Sequence, residues 1–169
     1  MRFDVFVFDM PIEKGKIKKI NKSDFWNQTD VKNAGVKSAK GVYIFGLKYG
    51  NSYKPYYVGK TNRNFGEEAT FSEKLRKYEH CINEIKGTPF MVFIAMKTTK
   101  NNEFSKKNND KLMLWLEDLF IILSYQQNQD LINTAKTKFL RNVCIADLLH
   151  SNKGASNTNS RILKKMMGL

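Results

Sequence analysis

The sequence predicts an α+β fold, a small and mainly antiparallel β-sheet flanked by helices, and three observations lead to it. Residues 41–47 (GVYIFGL) and 55–60 (PYYVGK) are rich in aromatic and β-branched residues and enclose the turn-like YGNSYK, the pattern of an antiparallel hairpin. Residues 90–96 (FMVFIAM) form a continuous apolar run that suits a central strand buried on both faces. Apolar residues at helical spacing in 71–85, and a mostly apolar segment at 110–126, supply the helices.

Taken in order, residues 3–9 alternate as a strand does, and residues 10–40 are polar and irregular, with a short helix from Ser23 ending near Gly35. After the hairpin, residues 61–69 (TNRNFGEEA) read as an exposed loop. Thr70 followed by Glu73 resembles a capping box, and Phe71, Leu75, Tyr78, Ile82 and Ile85 mark the buried stripe of the helix behind it. Gly87 and Pro89 stop that helix before the central strand. A polar link at 98–109 leads into the helix at 110–126, and two further short helices are expected at 139–150 and 158–167, joined by the loose SNKGASN. Neither an internal repeat nor an interdomain linker is visible, so residues 1–169 read as a single domain.

Composition narrows the function. With 41% hydrophobic and 27% charged residues the chain is that of a folded soluble protein, and no stretch approaches the roughly 20 apolar residues of a membrane helix. The opening MRFDVFVFDM carries Asp4 and Asp9 and makes a better strand than signal peptide. Cys81 and Cys144 cannot build a disulfide scaffold and sit in no metal-binding spacing, so a reduced, cytoplasmic setting is expected, with both as small core residues. The net charge of +13 points to a polyanion, nucleic acid above all. Residues 37–100 hold 12 basic and 5 acidic residues and residues 135–169 hold 7 and 1, whereas the other segments are near balance, so a uniform compositional bias does not account for the excess.

Helix 110–126 carries an unusual carboxylate. From Leu112 to Tyr125 only Glu117 and Asp118 are charged. At 100° per residue Asp118 falls near Lys111 at the polar edge, while Glu117 has Met113 and Ile121 one turn away on either side. A carboxylate so placed is costly unless a cation or a metal pairs with it or it becomes protonated. The bland alternative is a core ion pair with a Lys or Arg, or a side chain that simply points out through a gap.

Gly41-Val42-Tyr43 and Tyr57-Val58-Gly59 resemble the paired tripeptides that name the GIY-YIG nucleases, with valine in place of each isoleucine. Lys60 follows the second tripeptide, as in many members. Arg76, with His80 four residues on, resembles the family's arginine and the Tyr or His at that spacing. Glu117 lies on a later apolar helix, as the family's metal-binding glutamate does, and Asn133 resembles the asparagine that ends the family core, with Asn128 as its competitor. The resemblance covers residues 41–133, leaving 1–40 and 134–169 as additions that contact DNA or form oligomers. Thirteen residues separate the tripeptides, slightly more than usual, and loop 61–69 is an insertion in which Arg63 rivals Arg76. The alternative reading of Gly59-Lys60-Thr61 as a phosphate loop fails because Lys54 occupies the first glycine position. Gly-Val-Tyr and Tyr-Val-Gly also occur in ordinary hairpins, where the aromatics pack across strands, and Arg76 and His80 would look the same on a solvated helix face.

The resemblance implies a metal-dependent endonuclease acting on duplex DNA, with one Mg²⁺ or Mn²⁺ held by Glu117. It implies Arg76 on the scissile phosphate, Tyr43 as general base with its pKa lowered by Lys60, Tyr57 as a hydrogen-bonding group and His80 as the alternative base. Lys60, Arg63, Arg76 and Asn133 are the expected nucleic-acid contacts. A stand-alone restriction-type enzyme acting as a homodimer is favoured, since cutting both strands takes two sites. A basic binding module without catalysis and an RNA-cleaving nuclease are the rival readings.

If the charge excess is an electrostatic footprint, binding to duplex DNA weakens steeply with salt, because each phosphate contact releases counterions. Affinity measured across a salt series checks this, and a flat response would return the +13 to compositional bias.

Overall fold

The computed structural model describes residues 1–10, 22–84, 86–99, 101–138, 140–142 and 157–168. Four strands, β1 (Arg2–Asp9), β2 (Gly41–Tyr49), β3 (Ser52–Thr61) and β4 (Thr88–Lys97), form one sheet in the order β1-β4-β2-β3, antiparallel throughout. The expected α+β class is the one found, with the apolar 90–96 run at the centre of the sheet. Helices α1 (Lys22–Lys32), α2 (Phe65–Glu68), α3 (Ser72–Glu84), α4 (Asp110–Gln127), α5 (Thr134–Thr137) and α6 (Thr158–Met166), with 3₁₀ turns at Val36–Ser38 and Leu140–Asn142, complete the regular structure of the described residues. No helix among the described residues is long and apolar enough to cross a membrane.

Strand alternation splits the core in two. One face presents Phe8, Tyr43, Phe45, Tyr57, Met91 and Phe93 to α1, α2 and α3. The other presents Val42, Ile44, Val58, Val92 and Ile94 to α4. Phe25 and Trp26 of α1 stand against Phe93, and Tyr78 of α3 stacks on Phe45 with ring centroids 4.2 Å apart. Burial of these rings is the main favourable term holding the helices to the sheet.

Several expectations are corrected. The hairpin strands run on to Tyr49 and from Ser52, so the turn is the short one at Gly50 and Asn51, and the positive φ of 56° at Gly50 suits glycine. Residues 61–69 are not an exposed loop: α2 lies there, and Phe65 is fully buried against Tyr43 and Phe93. Thr70 is no N-cap, since α3 begins at Ser72. Its buried hydroxyl accepts from Trp26 Nε1 at 3.2 Å and donates to the Gly66 carbonyl at 2.9 Å, tying α1 to α2. Phe71, expected inside, is exposed, whereas Tyr78 and Cys81 are buried. The second short helix is α6 as expected; of the first, residues 140–142 form a 3₁₀ turn and the rest lies outside the described residues, as do Cys144 and His150.

Strand β3 is an edge strand, and its features match that position. Pro55, which cannot donate to a ladder, is tolerated at an edge. The pairing shifts between Phe45 and Gly46, which face Tyr57 and Pro55, so Tyr56 is the extra residue of a bulge. As a result two consecutive tyrosines, Tyr56 and Tyr57, join the same core cluster. The outer edge is closed by the segment after α4. Asn128 donates to the Pro55 carbonyl at 2.7 Å and Ile132 N–H to the Tyr56 carbonyl at 2.8 Å. The Asn133 amide both accepts from Val58 N–H at 2.9 Å and donates to its carbonyl at 2.7 Å.

Replacing Asn133 with Ala strands both Val58 backbone groups and is expected to cost about 1–3 kcal/mol, with Asn128→Ala nearer about 1 kcal/mol. Urea midpoints at unchanged denaturant slope measure this. Equal stability of Asn133→Ala and the native chain would mean that the edge does not depend on this latch.

Candidate functional site

The latch on β3 ends at Val58, and from Gly59 onward the strand lines a cleft of about 390 Å³. Because the cleft lies at the sheet edge, residues from both faces reach it. Tyr43, Tyr57, Glu68 and Lys74 come from the α2/α3 side, Leu114, Glu117 and Lys136 from the α4/α5 side, and Gly59 and Lys60 lie between them.

The glycines of the two tripeptides have physical reasons. A Cβ on Gly59 would lie 2.4 Å from Tyr43 Cζ and 2.5 Å from its hydroxyl, so the Tyr43 ring crosses β3 only because residue 59 has no side chain. A Cβ on Gly41 would fall 2.0 Å from the Ile94 carbonyl oxygen, which keeps β2 close against β4. The hairpin register places Tyr43 directly opposite Gly59, so these close contacts follow from the pairing itself.

The two tyrosines differ in electrostatics. Tyr43 is fully buried, and its hydroxyl has no hydrogen-bond partner among the described residues. Burial, with Tyr78, Tyr57 and Glu68 nearby, pushes its pKa far above the ordinary phenol range. This overturns the expectation that Lys60 lowers the Tyr43 pKa: Lys60 lines the cleft, but desolvation decides the direction. Tyr57 is the tyrosine with a cation. Lys74 Nζ donates to its hydroxyl at 2.9 Å, and the Lys74 and Lys77 ammonium groups lie 5.3 and 5.8 Å from its ring centroid. Burial opposes the charge on Lys74, but the Tyr57 hydroxyl and the carboxylates of Glu68, 3.9 Å away, and Glu73 outweigh it and raise the lysine's pKa.

Glu117 reaches the cleft with its side chain 13% exposed, while Asp118 is 50% exposed, the contrast expected from helical phase. The partner of Glu117 is Lys136, whose ammonium donates to Oε2 at 2.5 Å and to Asp118 Oδ1 at 2.9 Å. Desolvation works against the Lys136 charge, and the two carboxylates more than restore it. Among the described residues no group of three or more His, Cys, Asp or Glu side chains could hold a metal ion. Glu117 therefore offers a single hard oxygen ligand, a donor set that suits only an ion keeping most of its shell as water or phosphate oxygen.

Of the sequence-predicted residues the cleft brings together Tyr43, Tyr57, Lys60 and Glu117. Arg76 and His80 are exposed on α3 and do not line it, nor does exposed Arg63. Asn133 is bonded to the β3 backbone, and Asn128 plays the parallel role at Pro55. Sequence reasoning missed Glu68, Lys74 and Lys136. One signal for Lys74 was present: Lys74 and Tyr78 share the four-residue spacing of Arg76 and His80, and Tyr78 belongs to the buried stripe. No family model matches the chain, and no curated protein or solved structure matches it either.

Tyr43 and Tyr78 both have raised pKa values in the folded chain, the first from burial and its neighbours and the second from burial above all. Above about pH 10 the unfolded chain releases phenolic protons that the folded chain keeps, so stability is full below that pH and falls above it. Each such hydroxyl adds about 1.4 kcal/mol per pH unit to the decline. Tyr43→Phe is expected to make the alkaline slope shallower by about that amount in denaturant titrations, and an unchanged slope would show that Tyr43 ionises in the folded state.

Proposed function

We propose that this chain is a GIY-YIG-like nuclease that hydrolyses phosphodiester bonds of DNA with one bound Mg²⁺ or Mn²⁺. The observation that carries the reading is the meeting at one cleft of Tyr43, Tyr57, Lys60 and Glu117. These residues come from the tripeptide hairpin and from a helix far along the chain, and they supply the chemistry the reaction needs.

In this proposal Tyr57 is the general base. Its hydroxyl oxygen accepts from the Lys74 ammonium at 2.9 Å, so it is the cleft tyrosine whose oxygen already faces a cation. Tyr43, kept neutral by burial of its hydroxyl in the core, packs behind Tyr57 with ring centroids 6.2 Å apart and holds it in place. Lys60 contacts the phosphate, where developing negative charge meets a fixed cation. Glu117 holds the metal ion, which when bound supplies positive charge to the phosphate and the departing oxygen. Arg63, Arg76 and His80, exposed beyond the cleft, are assigned to binding the duplex on either side of the cut. A restriction-type enzyme working as a homodimer is the form proposed, because a double-strand cut takes two sites.

A second reading, a basic nucleic-acid-binding module without catalysis, is favoured by the ion pair of Glu117 with Lys136, which satisfies the carboxylate without a metal. Supercoiled plasmid and a structured RNA incubated with Mg²⁺, Mn²⁺ or EDTA separate the alternatives. Metal-dependent nicking of the plasmid supports the nuclease, binding without cleavage supports the module, and cleavage of RNA alone redirects the substrate. Within the nuclease reading Glu117→Gln abolishes cleavage and keeps DNA binding, since the amide retains size and loses charge. Tyr57→Phe is expected to lose about 10²–10⁴-fold in rate, and Tyr43→Phe less. A larger loss at Tyr43 would reverse the two tyrosine roles.

A further inference from the structure

Lys136 stands where two binding events compete. Its ammonium touches Glu117 Oε2 and Asp118 Oδ1, and it lines the same cleft as Lys60 and Lys74. Its backbone is fixed: α5 begins one residue after Asn133, which is bonded to Val58, and Ile132 is bonded to Tyr56. The side chain itself is 38% exposed on a four-carbon stem with several rotatable bonds, so its ammonium has other positions within reach. A divalent cation arriving at Glu117 meets an ammonium already on that carboxylate, and the like charges repel. A phosphate entering the cleft attracts the same ammonium away from Glu117. Asp118, half exposed one residue along the helix, can keep Lys136 partnered when Glu117 lets go.

We propose that Lys136 is a tethered cation that occupies Glu117 until a phosphodiester draws it off, so that metal loading is coupled to DNA binding. The inference rests on the nuclease reading and adds to it a positioning residue from outside the 41–133 core. Because both ligands break the same contact, each strengthens the other, and the coupling is reciprocal. The site then carries its full charge for hydrolysis only with DNA in place.

Calorimetric titration of Mn²⁺ tests this without using activity. In the absence of DNA, Lys136→Met and Lys136→Gln are expected to bind Mn²⁺ about tenfold more tightly than the native chain, and Glu117→Gln to lose the site. Adding a short duplex of arbitrary sequence, with its own Mn²⁺ heat subtracted using the Glu117→Gln protein, is expected to raise native affinity about tenfold and that of the two Lys136 variants little. Circular dichroism establishes that all variants are folded, and the two replacements of Lys136 guard against a defect peculiar to one. Equal Mn²⁺ affinity in native and Lys136 variants, with Glu117→Gln still losing the site, overturns the gate and leaves the nuclease standing. The gate is likewise overturned if the duplex raises affinity equally in the native chain and both Lys136 variants. Mn²⁺ binding that ignores Glu117→Gln, or is absent from every variant, overturns the gate and the metal-dependent reading together.

Discussion

Closure of the outer edge of β3 governs the rest of the site. An edge strand exposes unpaired backbone groups, and here those of Pro55, Tyr56 and Val58 are bonded by Asn128, Ile132 and Asn133. The latch brings the end of α4 and the start of α5 to the strand, which sets Glu117 and Lys136 beside it. Past Val58, Gly59 leaves room for the Tyr43 ring to cross the strand. The cleft therefore collects side chains from both faces of the sheet, which a position in the middle of the sheet could not do.

Burial then separates groups that are chemically alike. Tyr43 and Tyr57 are neighbours on paired strands, with ring centroids 6.2 Å apart. One hydroxyl lies in the core with no partner among the described residues, and the other accepts from an ammonium. In a low-dielectric setting the first stays protonated, whereas the second has its oxygen against a fixed cation. The carboxylates divide in the same way: Glu117, recessed among Met113 and Ile121, keeps a short contact to its cation, while Asp118 shares that cation from the solvent side. Lysine supplies each cation that lines the cleft. Its flexible stem lets one backbone position serve more than one carboxylate or phosphate, whereas arginine's planar fork suits fixed bidentate geometry.

The sequence by itself determined the sheet, the central position of 90–96, the long α4 and the recessed setting of Glu117, because periodicity of burial is a local property of the chain. It also showed the glycines of the two tripeptides, Gly41 and Gly59, although not the Tyr43 ring and the Ile94 carbonyl that make them necessary. Tertiary structure decided which side of α3 faces the cleft. Arg76 with His80 and Lys74 with Tyr78 have the same spacing, and only the packing of Tyr78 on Phe45 turns Lys74 inward and leaves Arg76 in solvent. The same holds for Asn133, whose amide could serve a ligand or a strand edge until the chain beyond α4 comes back along β3. It holds as well for the partner of Glu117: a lone recessed carboxylate announces that a cation must be near, but Lys136 is nineteen residues away, and Coulomb attraction acts across space rather than along the chain.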